Sequence, residues 1–188
     1  MRTKNLAINL AALKVAEEMI RRGARPPLVA ASTGVPSGVL RDIWSDHHQR
    51  RPPHGLLPDN CLGIIRRYKE IIHANLFYLL YYREGQEDVF RHADDQVVLK
   101  AHDAYKALVA SMQMQEVLDF TACWYIARDL RSRILEKRYC RTCHINHLYC
   151  INQKLMHTCP FCHLHVKPSR IRGTLLDTPE LAASVVNL

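Results

Sequence analysis

Apolar residues recur along this chain at the helical period for most of its length. Leu6, Leu10, Leu13, Ala16 and Ile20 follow steps of four, three, three and four, with Lys14, Glu17, Glu18 and Arg21 elsewhere around the wheel, which predicts an amphipathic helix. Arg21 and Arg22 suit its C-terminal dipole, and Gly23 follows as the stop. Two short helices are expected over about residues 25–48, broken at Gly34-Val35-Pro36. The first carries Leu28, Val29 and Ala31; the second carries Val39, Leu40, Ile43 and Trp44.

This hairpin has the outline of a helix-turn-helix, in which Ser37, Arg41 and His48 would face a major groove. Any short pair of helices meets that outline, however, and Asp42 and Asp46 on the second helix would face phosphates poorly. Packing or partner contact is therefore the stronger expectation for the hairpin, with Arg41 the weaker DNA candidate.

Arg50 to Pro58 holds three prolines and a glycine in nine residues and reads as an extended loop. A long helix is expected from Cys61 to about Tyr82, with Ile64, Ile65, Tyr68, Ile71, Ile72, Asn75, Leu76 and Leu79 on a broad apolar face. His73, Tyr78, Tyr81 and Tyr82 read as core or interface, because no matched nucleophile or orienting acid accompanies them. Two more helices are expected, over about 87–111 with a break at Ala93-Asp94-Asp95, and over about 115–136 with Trp124 as a core anchor. The fold class is mainly α, a helical domain over residues 1–136. A basic module over 137–172 and a short tail over 173–188 follow it, the tail either disordered or capped at Thr178-Pro179-Glu180.

What changes this picture is Cys140-Arg141-Thr142-Cys143, followed after fifteen residues by Cys159-Pro160-Phe161-Cys162. Two CxxC turns bring four thiolates to one tetrahedral centre about 2.3 Å away, so Cys140, Cys143, Cys159 and Cys162 are the expected ligands of one structural zinc ion per chain. A redox dithiol is the alternative, but it would be expected beside a βαβ pattern. Four thiolates leave no coordination position open for catalysis, and no His is followed two residues later by Glu, as a zinc deaminase requires. With no nucleotide-binding glycine motif or Ser/His/Asp arrangement either, no enzyme is expected. His144, His147, Cys150, His157, His163 and His165 crowd the same stretch and are possible substitutes as ligands; for Cys150 a buried or spare thiol is the simpler reading. Ile145, Leu148, Tyr149 and Ile151 suit short strands between the two turns.

Seven cysteines, an odd number, without a signal-peptide pattern or a long apolar run suit a soluble protein of the reducing cytoplasm, away from the membrane. The formal charge of +8 is concentrated: Lys137 to Arg172 contains seven basic residues and no acid, whereas residues 1–136 carry nineteen basic and sixteen acidic ones. Such an end favours a polyanion, most simply nucleic acid. The candidates for DNA contact are Arg138, Arg141, Lys154, Lys167, Arg170 and Arg172, then Arg41. A zinc-stabilised interaction scaffold without DNA contact is the alternative.

Several segments together resemble the FlhC family of bacterial flagellar transcriptional activator subunits. They are Gly23-Ala24-Arg25, Ser37 to Trp44, Pro52 to Pro58, Ile72 to Tyr78, Thr121 to Trp124 and the paired CxxC, in the family's order over about residues 6–165. The resemblance implies a mostly helical chain with four cysteine ligands to zinc. It also implies a complex of two FlhC-like and four FlhD-like chains that binds promoter DNA and brings RNA polymerase to flagellar operons. Two departures stand out. His144 follows Cys143 where the family favours glycine, which puts the turn geometry in question, and Asp59 to Gly63 differ from the family's pattern, so no partner contact is carried over there.

Overall fold

The computed structural model describes the backbone of residues 2–166 and the side chains of residues 10–163; Lys167, Arg170, Arg172 and the tail over 173–188 lie outside the described residues. Helix α1 (Arg2–Arg21) buries Ala16, Met19 and Ile20, while Leu10 of the expected stripe is 52% exposed. Gly23 turns the chain at φ +85°, a conformation glycine adopts without strain. Just beyond the helix, Arg22 pairs with Glu18 at 2.6 Å and with Asp103 at 2.7 Å, tying the first helix to the fifth.

Helices α2 (Pro26–Thr33) and α3 (Ser37–His48) form the expected hairpin. Paired prolines start α2 and left-handed Gly34 ends it, its N–H bonding to the Ala30 carbonyl. Leu28, Val29, Leu40 and Trp44 are buried, whereas Ala31 and Val39 are exposed. His48, a possible groove contact by sequence, instead bonds to the Ile20 carbonyl at 2.8 Å and lies against Trp44.

The long helix starts later than its apolar pattern suggests. Cys61–Gly63 is one 3-10 turn capped by the Asn60 side chain, and α4 spans Tyr68–Gly85. Glu70 fixes that start by accepting from the N–H groups of Arg66 and Arg67 at 2.6 and 2.8 Å. Buried side chains surround α4, as expected of a helix at the centre of a bundle. Around it pack α5 (Asp95–Ser111) and α6 (Phe120–Arg131). The expected break at Ala93-Asp94-Asp95 is the cap of α5, where Asp94 accepts from Gln96 and Val97 N–H. Asp119 caps α6 through Ala122 N–H.

At its far end α6 stops short of Glu136. The N–H groups of Ile134 and Leu135 both return to the Asp129 carbonyl while Arg133 takes φ +59°. The chain then enters β1 (Glu136–Tyr139), antiparallel to β2 (Asn146–Tyr149) with Arg138 opposite His147. The sequence placed strands only between the cysteine pairs; β1 precedes the first pair. Helix α7 (Pro160–Val166) closes the described chain. Among the described residues, no helix is long and apolar enough to cross a membrane.

His73 and His102 are buried in the bundle. His73 shares a hydrogen bond of 2.7 Å with the Tyr105 hydroxyl, and His102 lies edge-on to Phe120. Burial lowers both to about 4. Because the unfolded chain takes up these protons near pH 6.5 and the folded chain only near 4, stability is complete above pH 6.5 and falls as the pH drops through that window. The expected loss is about 3 kcal/mol per histidine at most. Urea denaturation at pH 7 and pH 5 should show it, and His102→Leu should flatten the dependence; equal midpoints for the native chain at both pH values would contradict this.

Candidate metal centre and its basic surface

The first cysteine turn hangs from the end of β1. Cys140 N–H bonds to the Ile145 carbonyl at 3.0 Å, and His144 N–H to the Cys140 carbonyl at 2.9 Å. His144 holds the left-handed conformation, φ +59°, that a glycine there would take, at a cost of about 1–2 kcal/mol for a residue with a Cβ. Its ring is fixed by a 2.6 Å hydrogen bond with the Tyr139 hydroxyl. His144 therefore keeps the turn and its ring adds an anchor. The second turn is not a strand-to-strand turn: Pro160 opens α7, with Cys159 just ahead of it and Cys162 in its first turn.

The two turns converge. The four Sγ atoms of Cys140, Cys143, Cys159 and Cys162 all lie within 4.8 Å of one another. Cys140–Cys162 and Cys143–Cys159 are each 3.6 Å apart. A tetrahedron with metal–sulfur bonds of about 2.3 Å has sulfur–sulfur edges of about 3.8 Å, so the quartet fits one metal ion. All four are free thiols, with sulfurs too far apart for the ~2.05 Å bond of a disulfide. N–H groups of Cys143 and Thr142 directed at the Cys140 sulfur hold that thiol down to about 6, while burial pushes Cys159 up strongly and Cys162 up to about 11. A metal ion entering here displaces protons from the buried thiols.

Neighbouring groups are otherwise engaged. Cys150 is buried in the main core beside Leu148 and Met156. His147 bonds to the Leu148 carbonyl and His157 to the Ile151 carbonyl, and the His163 ring packs on Tyr68 at 4.7 Å. The side chain of His165 lies outside the described residues.

The quartet rests on the bundle. Cys159, Phe161 and Leu76 form one buried cluster, with Ile72 and Leu108 packed against it. Polar ties fix the register: Tyr68 donates its hydroxyl proton to the Pro160 carbonyl, and Gln153 donates to the Ile65 carbonyl at 3.1 Å. The central tie is Asn75, fully buried, which accepts from Leu148 N–H of β2 at 2.7 Å and donates to the Ile71 carbonyl at 2.8 Å. Sequence reasoning placed Asn75 on the apolar face without assigning it a task. Its signal was an amide at a core position, which burial tolerates only with a partner. Asn75→Ala should cost about 2–3 kcal/mol, because it strands the Leu148 N–H and opens a small cavity. Thermal denaturation checks this, and an unchanged midpoint would contradict it.

The expected DNA-contacting cations separate into groups. Arg138 and Arg141 flank Cys140, and Lys154 lies in the next turn; all three are exposed, and none forms an ion pair among the described residues. The Arg138 guanidinium stacks on Tyr149 at 3.4 Å, an arrangement that orients it without neutralising it. Lys137 is engaged by Glu87 at 2.8 Å and by the rings of Tyr82 and Phe90. Arg128 is held by Asp129, and Arg131 donates to the Tyr81 hydroxyl, so these two arginines belong to the bundle and not to a free basic surface. Arg41 is exposed on α3, a separate element that also carries the exposed acids Asp42 and Asp46.

Comparison with known proteins shows the family of the chain. The family model described as "Flagellar transcriptional activator (FlhC)" matches residues 1–174. A flagellar transcriptional regulator FlhC of Nitrosomonas eutropha is 26% identical over 178 residues, covering 93% of this chain and 88% of the relative. One of Proteus mirabilis is 24% identical over 192 residues, covering 94% and 96%, and one of Variovorax paradoxus is 22% identical over 179 residues, covering 92% and 85%. A helical chain that carries a four-cysteine cluster and is matched along nearly its full length belongs to the FlhC family of flagellar transcriptional activators.

Proposed function

We propose that the chain is the DNA-binding subunit of a promoter-binding activator, with one structural zinc held by Cys140, Cys143, Cys159 and Cys162. The observation that carries this reading is the thiol quartet set among exposed, unpaired cations. Four sulfur donors at tetrahedral spacing suit zinc, and an iron–sulfur centre would be coloured where zinc is not. Bound there, the ion replaces the apolar core that so small a module lacks, and it fixes the cations on a rigid base. Arg138, Arg141 and Lys154, with Lys167, Arg170 and Arg172, then meet phosphates that position the complex, while base edges and DNA shape select the promoter.

The chain acts in the cytoplasm with an FlhD-like partner, two copies to four, and the assembly brings RNA polymerase to flagellar promoters. Leu10 of α1 and Val39 of α3, both largely exposed, favour the hairpin side as the surface for the protein partner. That exposure is also what supports the second reading, a scaffold whose basic end never meets DNA.

Salt-dependent binding of a flagellar promoter fragment by the co-expressed complex separates the two readings. Neutralising Arg138 with Arg141, or Arg170 with Arg172, should weaken binding across sequences and flatten the salt slope by about two per chain. An unchanged slope removes that pair from the interface, and absence of salt-dependent binding by the native complex favours the scaffold.

A further inference from the structure

The loop over residues 50–58 leaves one leucine, Leu56, 97% exposed, while its neighbour Leu57 packs against the main core. A single exposed leucine is ordinary on a protein surface; a leucine held out by a purpose-made clamp is not. Arg25, just ahead of α2, donates to three carbonyls of the loop, those of Pro53, Gly55 and Leu56. Pro52, Pro53 and Pro58 restrict the backbone further, and Gly55 turns it at φ +113°. The tip is thus preorganised, so that covering Leu56 costs little chain entropy.

The surroundings of this tip indicate what covers it. From His47 to Pro58 there is no acid, and Arg50 and Arg51 are exposed and form no ion pair among the described residues. Two exposed arginines, five and six residues ahead of a rigid apolar tip in the same loop, match the chemistry of proteins that grip the backbone with cations and press an apolar wedge against a base step from the minor groove. A purely apolar protein partner would have to desolvate both arginines without pairing them.

We propose that this loop is a second DNA contact of the chain, separate from the cysteine module, with Arg50 and Arg51 on phosphates and Leu56 as a wedge in the minor groove that bends the promoter. The proposal rests on the reading of the chain as a DNA-binding subunit.

The test uses the full chain co-expressed with its FlhD-like partner and a circularly permuted set of flagellar promoter fragments, measuring affinity, salt slope and bend angle. Zinc content and thermal stability serve as folding controls. Arg50→Ala with Arg51→Ala should lower the salt slope by about two per chain. Leu56→Ala should leave the slope unchanged, weaken binding about tenfold and reduce the bend. If the native complex binds and bends the fragments but none of these substitutions alters either property, the loop proposal fails while the DNA-binding reading stands. A fall in affinity from Leu56→Ala with an unaltered bend overturns the wedge. Loss of partner association with Leu56→Ala, with DNA properties of the surviving complex unchanged, assigns the loop to protein docking and also overturns it. Failure of the native complex to bind DNA overturns the functional reading itself.

Discussion

Replacing Cys159 with serine is expected to abolish stoichiometric metal retention and to loosen the chain from Glu136 to His163. Cys159 is buried against Leu76, with its sulfur 3.6 Å from that of Cys143, so its loss removes one thiol of the proposed metal site and a packing surface together. A structural zinc site is worth about 10–16 kcal/mol at neutral pH, comparable to the stability of an ordinary domain, and a three-sulfur remnant falls orders of magnitude short of it. The bundle is expected to survive, since most of its buried residues come from α1 to α6. Elemental analysis and limited proteolysis check this together. The variant should carry almost no zinc and be cleaved first within the module, whereas zinc at the native level with unchanged protection would contradict the account.

The second large effect is expected at Asp129, which is not one of the residues of the cysteine quartet. Its carboxylate is completely buried, accepts from Cys61 N–H at 2.6 Å and pairs with Arg128 at 2.7 Å. Arg128 in turn donates to the Asp59 carbonyl and lies over the Tyr125 ring at 4.5 Å. The Arg128–Asp129 pair thus joins Asp59, just past the 50–58 loop, and the Cys61 turn to α6. Asp129→Ala leaves an unpaired guanidinium and a stranded buried N–H, at a cost of about 3–5 kcal/mol. Asp129→Asn keeps an acceptor for Cys61 N–H and should lose less. Urea denaturation of the two variants should give that order; equal losses would mean that the charge on Asp129 is irrelevant.

Asp129 also shows where sequence reading runs out. An aspartate between Arg128 and Leu130, with Arg131 next, reads as a solvated charge offsetting nearby arginines, because its partner, the Cys61 N–H, lies 68 positions away and the Asp59 carbonyl that Arg128 meets lies 69 away. Periodicity cannot express such a pairing. The same limit applies to Asn75 and to the strand β1, of which only Glu136 fell within an expected element, the end of the helix over 115–136. What stops α6 is two backbone N–H groups returning to the Asp129 carbonyl, not a glycine or proline. By contrast, features governed by neighbours in sequence were legible: α1 with its Gly23 stop, the hairpin broken at Gly34, and the break around Asp94, though not its role as a cap. The thiol quartet was legible for a further reason. CxxC spacing is itself a geometric constraint, and two such constraints leave little else for the fold to decide about the site.

Sequence also could not tell which cations are free. Lys137, Arg128 and Arg131 look equivalent to Arg138 and Arg141 along the chain, yet the first three are bound to Glu87, Asp129 and Tyr81. Only the structure divides cations that brace the bundle from those open to a polyanion. The proposed interface is accordingly narrower than the charge count suggests.

The central claim is that a metal-bound quartet organises the surface that meets DNA. The most direct test is promoter-fragment binding by the co-expressed complex as metal is withdrawn by a chelator, with bound zinc counted at each step by elemental analysis. The account predicts one zinc per chain at the start and a loss of binding that tracks the loss of zinc. A complex that holds no zinc, or that binds the promoter equally well once its zinc is gone, would contradict it.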